Sequence, residues 1–204
     1  METLMRVVMA TFVAALLLFG AVGGAQDKKA DAEKESNLIV NGSFEEGPDV
    51  EGFIALDKDS TDLKGWTVTR GQIDYIGTHW MSGDGKRSLD LHGSPGFGGV
   101  KQTFKTTEGK RYRLTFLMAG SPGRQITVNA LCVRAANKKE VFSFDAADTT
   151  HKEMGWVKKS WEFVAVADET TLEIHTLDSE EEDPTGVAGP AVDDIRVVGV
   201  ADKK

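Results

Sequence analysis

A side-chain period of two, broken at short intervals by turn residues, restricts the fold of this chain more than any other property. Tyr112, Leu114, Phe116 and Met118 alternate with Arg113, Thr115 and Leu117, the pattern of a strand with one buried face. Ile126, Val128, Ala130 and Cys132 form a second such set, Trp161, Phe163 and Ala165 a third, and Leu172, Ile174 and Thr176 a fourth. Apolar runs predict further strands at 38–41, 66–69, 72–76, 88–92, 100–106, 141–144 and 191–198. Turn signals separate them: Asp84-Gly85, Ser94-Pro95-Gly96, Glu108-Gly109, Ser121-Pro122-Gly123 and Asp183-Pro184. Roughly ten short strands at such spacing, with no long segment of helical period, predict an all-β jelly-roll sandwich of two antiparallel sheets. Residues 52–63 read as a long loop or a short helical turn.

The sandwich is expected over residues 37–200. Ahead of it, Arg6, the apolar run Val7 to Val22 and the small residues Gly23, Gly24 and Ala25 have the order of a secretory signal peptide over 1–25. Residues 26–36 lack large apolar side chains and read as a flexible charged linker, and 201–204 as a short tail. The acidic stretch 178–186 reads as a solvated loop, because strand sequence resumes after it. Export implies an oxidising space, yet Cys132 is the only cysteine, so no internal disulfide can form. Its parity with Val128 and Ala130 predicts a small buried hydrophobe.

The formal net charge of −8 disfavours a phosphate-backbone partner, so nucleic acid is not expected. No basic amphipathic stretch points to a membrane once the leader is removed. His79, His92, His151 and His175 lack the close spacing of a zinc or copper site, and no Gly-x-Ser-x-Gly elbow occurs. The run Gly93 to Gly99 lacks the Gly-Lys-Ser/Thr ending of a phosphate loop and reads as a turn.

Counting by twos from Ile195 and Val197 places Asp193 on the inward face of the last strand, where a carboxylate is costly unless compensated. Glu45 follows Phe44 where the first strand gives way to a turn. Two such carboxylates with backbone carbonyls would suit a structural calcium ion. Alternatively, Asp193 accepts backbone N–H bonds and Glu45 is solvated. The residues alone leave both open.

The phrases NLIVNGSFE, GWTVTRGQIDYIGTHW, DGKRSLDLHG, GGVKQTF, GKRYRLTF, MGWVKKSWEF and GPAVDDIRV resemble the bacterial choice-of-anchor C proteins, relatives of the plant cell-wall domain of unknown function 642. The resemblance runs from about Asn37 to Val198. It implies a galactose-binding-like jelly roll, an extracellular or cell-wall location and association with polysaccharide, without known catalysis. In similar carbohydrate-binding modules the equivalents of Glu45 and Asp193 hold a calcium ion. The Ala-Asp-Lys-Lys ending, where relatives often carry an anchoring tail, implies a free secreted or periplasmic protein.

A sugar-binding surface needs aromatic faces for the C–H side of the ring, with polar groups for its hydroxyls. Asp74, Tyr75, His79 and Trp80 supply both types in one segment, with His92 close by, and Trp80 is the first candidate platform. Trp66 and Trp161 read as core residues, and Trp156 is left unassigned. The expectation is a secreted, non-catalytic polysaccharide-binding protein with no catalytic residues. An extracellular protein-interaction sandwich is the alternative, and a glycoside hydrolase or lyase a third reading.

Overall fold

The alternating segments become thirteen strands, with no helix among the described residues. The computed structural model describes residues 36–93, 96–123, 127–177 and 189–201. The predicted leader, the linker up to residue 35, the acidic loop 178–186 and residues 202–204 of the tail lie outside the described residues.

In chain order the strands are β1 (Phe53–Asp57), β2 (Thr67–Arg70), β3 (Gln72–Ile76), β4 (Ser88–Asp90), β5 (His92–Gly93), β6 (Gly96–Phe97), β7 (Gly99–Lys105), β8 (Arg111–Gly120), β9 (Val128–Ala135), β10 (Lys138–Asp145), β11 (Val157–Val164), β12 (Glu169–Thr176) and β13 (Pro190–Gly199). One sheet has the order β1-β3-β4-β13-β8-β11 and the other β10-β9-β12-β7-β2, while β5 and β6 form a small hairpin. Every pairing in them is antiparallel. The expected jelly-roll sandwich is therefore the observed class. Tyr112, Leu114, Phe116 and Met118 from the first sheet meet Leu131, Val133, Leu172 and Ile174 from the second in one hydrophobic core.

Several local expectations are corrected. Residues 52–63 contain an edge strand, β1, rather than only a loop or a helical turn. In β9 the core face carries Leu131, Val133 and Ala135, whereas Val128 is 58% exposed. The run Ala130-Leu131-Cys132-Val133 is apolar throughout, so its pattern cannot select a face. The register does so, because Val133 lies opposite the core residue Ile174. Cys132 is buried as expected, but on the other face, opposite His175. Trp66 is a core residue, and Trp161 only packs against the core from a half-buried position.

The predicted first strand at 38–41 is instead a turn, with Asn41 and Phe44 at φ 53° and 59°. Side chains replace most of the ladder, of which the bond from Leu38 N to Val197 O remains. The Asn37 amide accepts from Val197 N through Oδ1 at 2.9 Å and donates through Nδ2 to Ile195 O at 3.2 Å. Asn41 closes the turn by bonding the main chain of Glu46 in both directions and donating to Lys64 O. Phe44, fully buried, packs 5.5 Å from the Trp66 ring, whose Nε1 donates to Asn41 O.

β13 carries a bulge. Asp193 pairs with Leu117 but Arg196 with Thr115, so one extra residue intervenes, and Asp194 sits at φ 42°. That residue invalidates the count from Ile195. Val192, opposite Met118, points into the main core, and Asp193, opposite Leu117, points out of the other face. Asp193 is nonetheless fully buried, because that outer face is covered. A second cluster of Ile76, Trp80, Ala119, Met154 and Ala191, with Phe144 and Trp156 against it, lies there.

The bulge also explains Gly42. Ile195 N donates to Gly42 O at 2.9 Å, and a Cβ on Gly42 would stand 2.0 Å from Ile195 O. Gly42→Ala is expected to destabilise the fold by about 3 kcal/mol or more, since backbone atoms on both sides would have to move. Gly52→Ala, at φ 67° with open space around it, should cost only about 1 kcal/mol. Urea unfolding of the two variants checks this ordering, and equal losses would contradict it.

Candidate functional site

The covering layer over the outer face of the six-stranded sheet is built from residues 77–87 and 146–156. Its first part is tied to β1 and its second part to the first. Gly77 N and His79 N both donate to Gly52 O, and Thr78 Oγ1 accepts from Gly52 N at 3.0 Å. Met81 N donates to His151 O at 2.8 Å, and Trp156 Nε1 donates back to Met81 O at 2.9 Å. Thr150 and Glu153 exchange two main-chain bonds that close the His151–Lys152 turn.

Residues 82–87 are held by the two carboxylates that the sequence brings forward. Asp193 Oδ2 accepts from Gly83 N and Asp84 N at 2.9 and 2.8 Å, while Oδ1 accepts from Asp194 N at 2.7 Å. Glu45 Oε1 accepts from Lys86 N and Arg87 N at 2.7 and 2.9 Å. The pair therefore does converge, on opposite ends of one loop. Gly83 is pressed so close to Leu117 and Trp156 that a Cβ would lie 2.8 and 3.0 Å from them.

The geometry around these residues favours amide donors over calcium. A calcium ion takes six to eight oxygens, but amide hydrogens already point at three of the four carboxylate oxygens. Among the described residues, no group of three or more His, Cys, Asp or Glu side chains is placed to share a cation. The alternative in which Asp193 accepts N–H bonds describes that residue, and Glu45 does the same rather than standing only in solvent.

Burial pushes the Asp193 carboxyl up to about 7, against the lowering effect of the N–H donors of Asp84, Asp194 and Gly83. Burial likewise raises Asp74 to about 6.

The proposed aromatic face is split by the fold. Tyr75 is wholly buried in the main core and donates to Phe44 O at 2.8 Å, so it offers no surface. Trp80 is only 4% exposed and its Nε1 donates to Ser88 Oγ at 2.8 Å. Its ring is packing for the covering layer, which corrects the expectation of an open platform. Asp74 is half-buried on β3, directly across from Asp90 on β4. His92 is 4% exposed, lies edge-on to Phe97 at 5.1 Å, and has no hydrogen-bond partner on either ring nitrogen among the described residues.

His79 remains at the surface and is joined by residues that the sequence did not single out. Its ring lies 5.1 Å from Phe53, 4.8 Å from His151 and 5.6 Å from Trp80, centroid to centroid. Phe53 is 48% exposed and Met81 61%. Beside them runs a cleft of about 560 Å³ whose walls include His79, Met81, Lys86, Arg87, His151 and Lys152, with Trp80 at its edge. No sequence signal marked His151, because its nearness to His79 is made by the Met81–His151 main-chain bond. Phe53 was legible only as an apolar residue in the segment that showed no clear period.

Known proteins are similar to this chain in sequence or in fold. Residues 37–198 match the profile of a family described as Protein of unknown function (DUF642). Halomucin of Haloquadratum walsbyi is 27% identical over 197 residues, 94% of this chain and 2% of that protein. The Protein DUF642 L-GALACTONO-1,4-LACTONE-RESPONSIVE GENE 2 of Arabidopsis thaliana is 29% identical over 195 residues, 91% of this chain and 48% of that one. The chain thus spans less than half the length of either relative. Among solved structures, TmCBM61 in complex with β-1,4-galactotriose superposes at a TM-score of 0.50 with 13% identity, covering 81% of this chain and 99% of that one. An arabinose-bound GH51 α-L-arabinofuranosidase gives 0.52 with 12% identity, over 81% of this chain and 26% of that one. These two likenesses establish a common fold.

Two outcomes are expected from the loop anchors. Chelator or added calcium should leave the melting temperature unchanged within about 1 °C, whereas Asp193→Ala should cost about 1–3 kcal/mol by leaving three part-buried N–H donors without their acceptor. A calcium-dependent rise in melting temperature would restore the metal reading. The folded protein holds the Asp193 proton more tightly than the unfolded chain, whose carboxyl titrates near 3.8. Its contribution to stability is therefore present at low pH and is lost as pH rises through about 7, with Asp74 adding a loss through about 6. Unfolding free energies measured from pH 5 to 8 should fall in the wild type and fall less steeply in Asp193→Asn.

Proposed function

The chain belongs to the DUF642 family, and we propose that it is an extracellular, non-catalytic carbohydrate-binding domain that seats one sugar unit of a polysaccharide in the cleft beside His79. The observation that carries this reading is the exposed apolar surface at that cleft. Met81 and the His79 ring in its wall, and Phe53 packed edge-on against His79 just outside it, stay in contact with water on a layer tied down by main-chain bonds, although burial of such groups is favourable. A sugar ring has an apolar C–H side that covers such a surface, and the Lys, Arg and His side chains around it supply hydrogen bonds for the hydroxyls. The cleft volume of about 560 Å³ lies in the range of small-ligand sites. Galactotriose and arabinose, bound by the two proteins of similar fold, agree with this class of ligand. The extracellular location rests on the leader-like order of residues 1–25.

The hydrolase reading has less support. Asp74 and Asp90 face each other across β3 and β4, but Asp90 is buried and its Oδ1 accepts the His92 N–H. Hydrolysis needs two carboxylates with access to one glycosidic bond.

Affinity electrophoresis through a panel of plant and bacterial polysaccharides tests the proposal. At least one gel should retard the wild type, and the Phe53→Ala/His79→Ala double variant should lose about tenfold in affinity without a drop in melting temperature. Retardation by none of them, or equal retardation of both proteins, would refute the cleft as a sugar site. Reducing-end assays on the bound polysaccharide should stay at the blank level.

A further inference from the structure

A chain with 32 acidic and 24 basic residues should expose carboxylates in most surface clefts. The cleft beside His79 departs from this. Lys86, Arg87 and Lys152 line it together with His79 and His151, and among the described residues no carboxylate does. Asp84, Glu51 and Glu153 are exposed but are not part of its wall. Glu45, which supports the floor loop, turns Oε1 to the main-chain N–H groups of Lys86 and Arg87.

The cations are held in different ways. Arg87 is fixed: one guanidinium nitrogen donates to Val50 O at 2.9 Å, and the group sits 5.8 Å over the Tyr75 ring. A guanidinium has five N–H donors, so donors remain for a planar anion. Gly77 makes room for it, because a Cβ there would stand 2.6 Å from the same nitrogen. Lys86 and Lys152 are exposed and join no ion pair among the described residues. A concave wall of one sign in a protein of the opposite net sign concentrates the field where a ligand enters.

We propose that this cleft selects an anionic sugar, namely a carboxylated hexose unit of an acidic polysaccharide. Its ring would lie against His79 and Met81, with its carboxylate toward Arg87, Lys86 and Lys152. The inference rests on the glycan-binding reading of the same cleft and names its substrate class. Sulfate esters share the charge but not the planar fork geometry that matches Arg87.

Isothermal titration of the full chain separates the possibilities, with polygalacturonate, its fully methyl-esterified form, neutral β-1,4-galactan, dextran sulfate and polyglutamate as probes. Polygalacturonate should bind at least about tenfold more tightly than its ester or the galactan, and its affinity should fall several-fold between low and physiological salt. Lys86→Gln/Lys152→Gln should remove most of that preference at unchanged melting temperature, while Lys86→Arg/Lys152→Arg keeps it. Dextran sulfate binding as tightly as polygalacturonate would support an anionic site but assign it to sulfate esters. Equal affinity for the ester and the acid, or for polyglutamate and polygalacturonate, would overturn the inference; the first of these leaves the glycan reading intact. Binding to none of the saccharides would overturn both.

Discussion

One extra residue in the last strand organises this molecule. The bulge between Asp193 and Arg196 turns Asp193 away from the main core while leaving Val192, Ile195 and Val197 in it. The same irregularity brings the Ile195 main chain within reach of Gly42, and the N-terminal segment is clamped there by Asn37 and Gly42 in place of an ordinary strand pairing. A buried carboxylate is tolerated only with strong partners. Here three amide N–H groups supply them, two from a loop that would otherwise have little to hold it.

That loop is why the outer face of the six-stranded sheet is not a bare surface. With Glu45 at one end and Asp193 at the other, residues 82–87 lie over Leu117 and Trp156, and a second small core forms around Trp80 and Met154. The cleft is the gap between this layer, Val50 and the His151 turn. Its rigidity follows from main-chain bonds, Gly77 and His79 to Gly52 and Met81 to His151, rather than from side chains facing a ligand. Lys86 and Lys152 line the cleft without joining an ion pair among the described residues, so they do not pin the layer in that way.

The architecture was legible because a strand with one buried face writes its burial directly into residue parity. β8 follows that rule from Arg111 to Met118 and β12 from Glu169 to Ile174. Parity failed in three places for identifiable reasons. The bulge in β13 displaced the count, the run Ala130 to Val133 was apolar on both faces, and the segment before Phe44 exchanged ladder bonds for asparagine side chains. The site was less legible. Glu45 and Asp193 were legible as a pair, but not the amide donors they hold, because amide donors and a cation can each satisfy a carboxylate. Of the aromatic segment only His79 stayed on the surface, with Trp80 and Tyr75 drawn into two different cores.

The sequence by itself determined the two-sheet sandwich and most residues of its main core, since both are carried by local alternation and by turn chemistry. Only the tertiary structure decided which aromatic residues remain exposed and which charges share a wall. Exposure depends on what covers each face, and the cover over this one is made by main-chain bonds between segments about seventy residues apart, as between Met81 and His151, whose donors and acceptors are common to every residue except proline and so leave no trace in side-chain pattern.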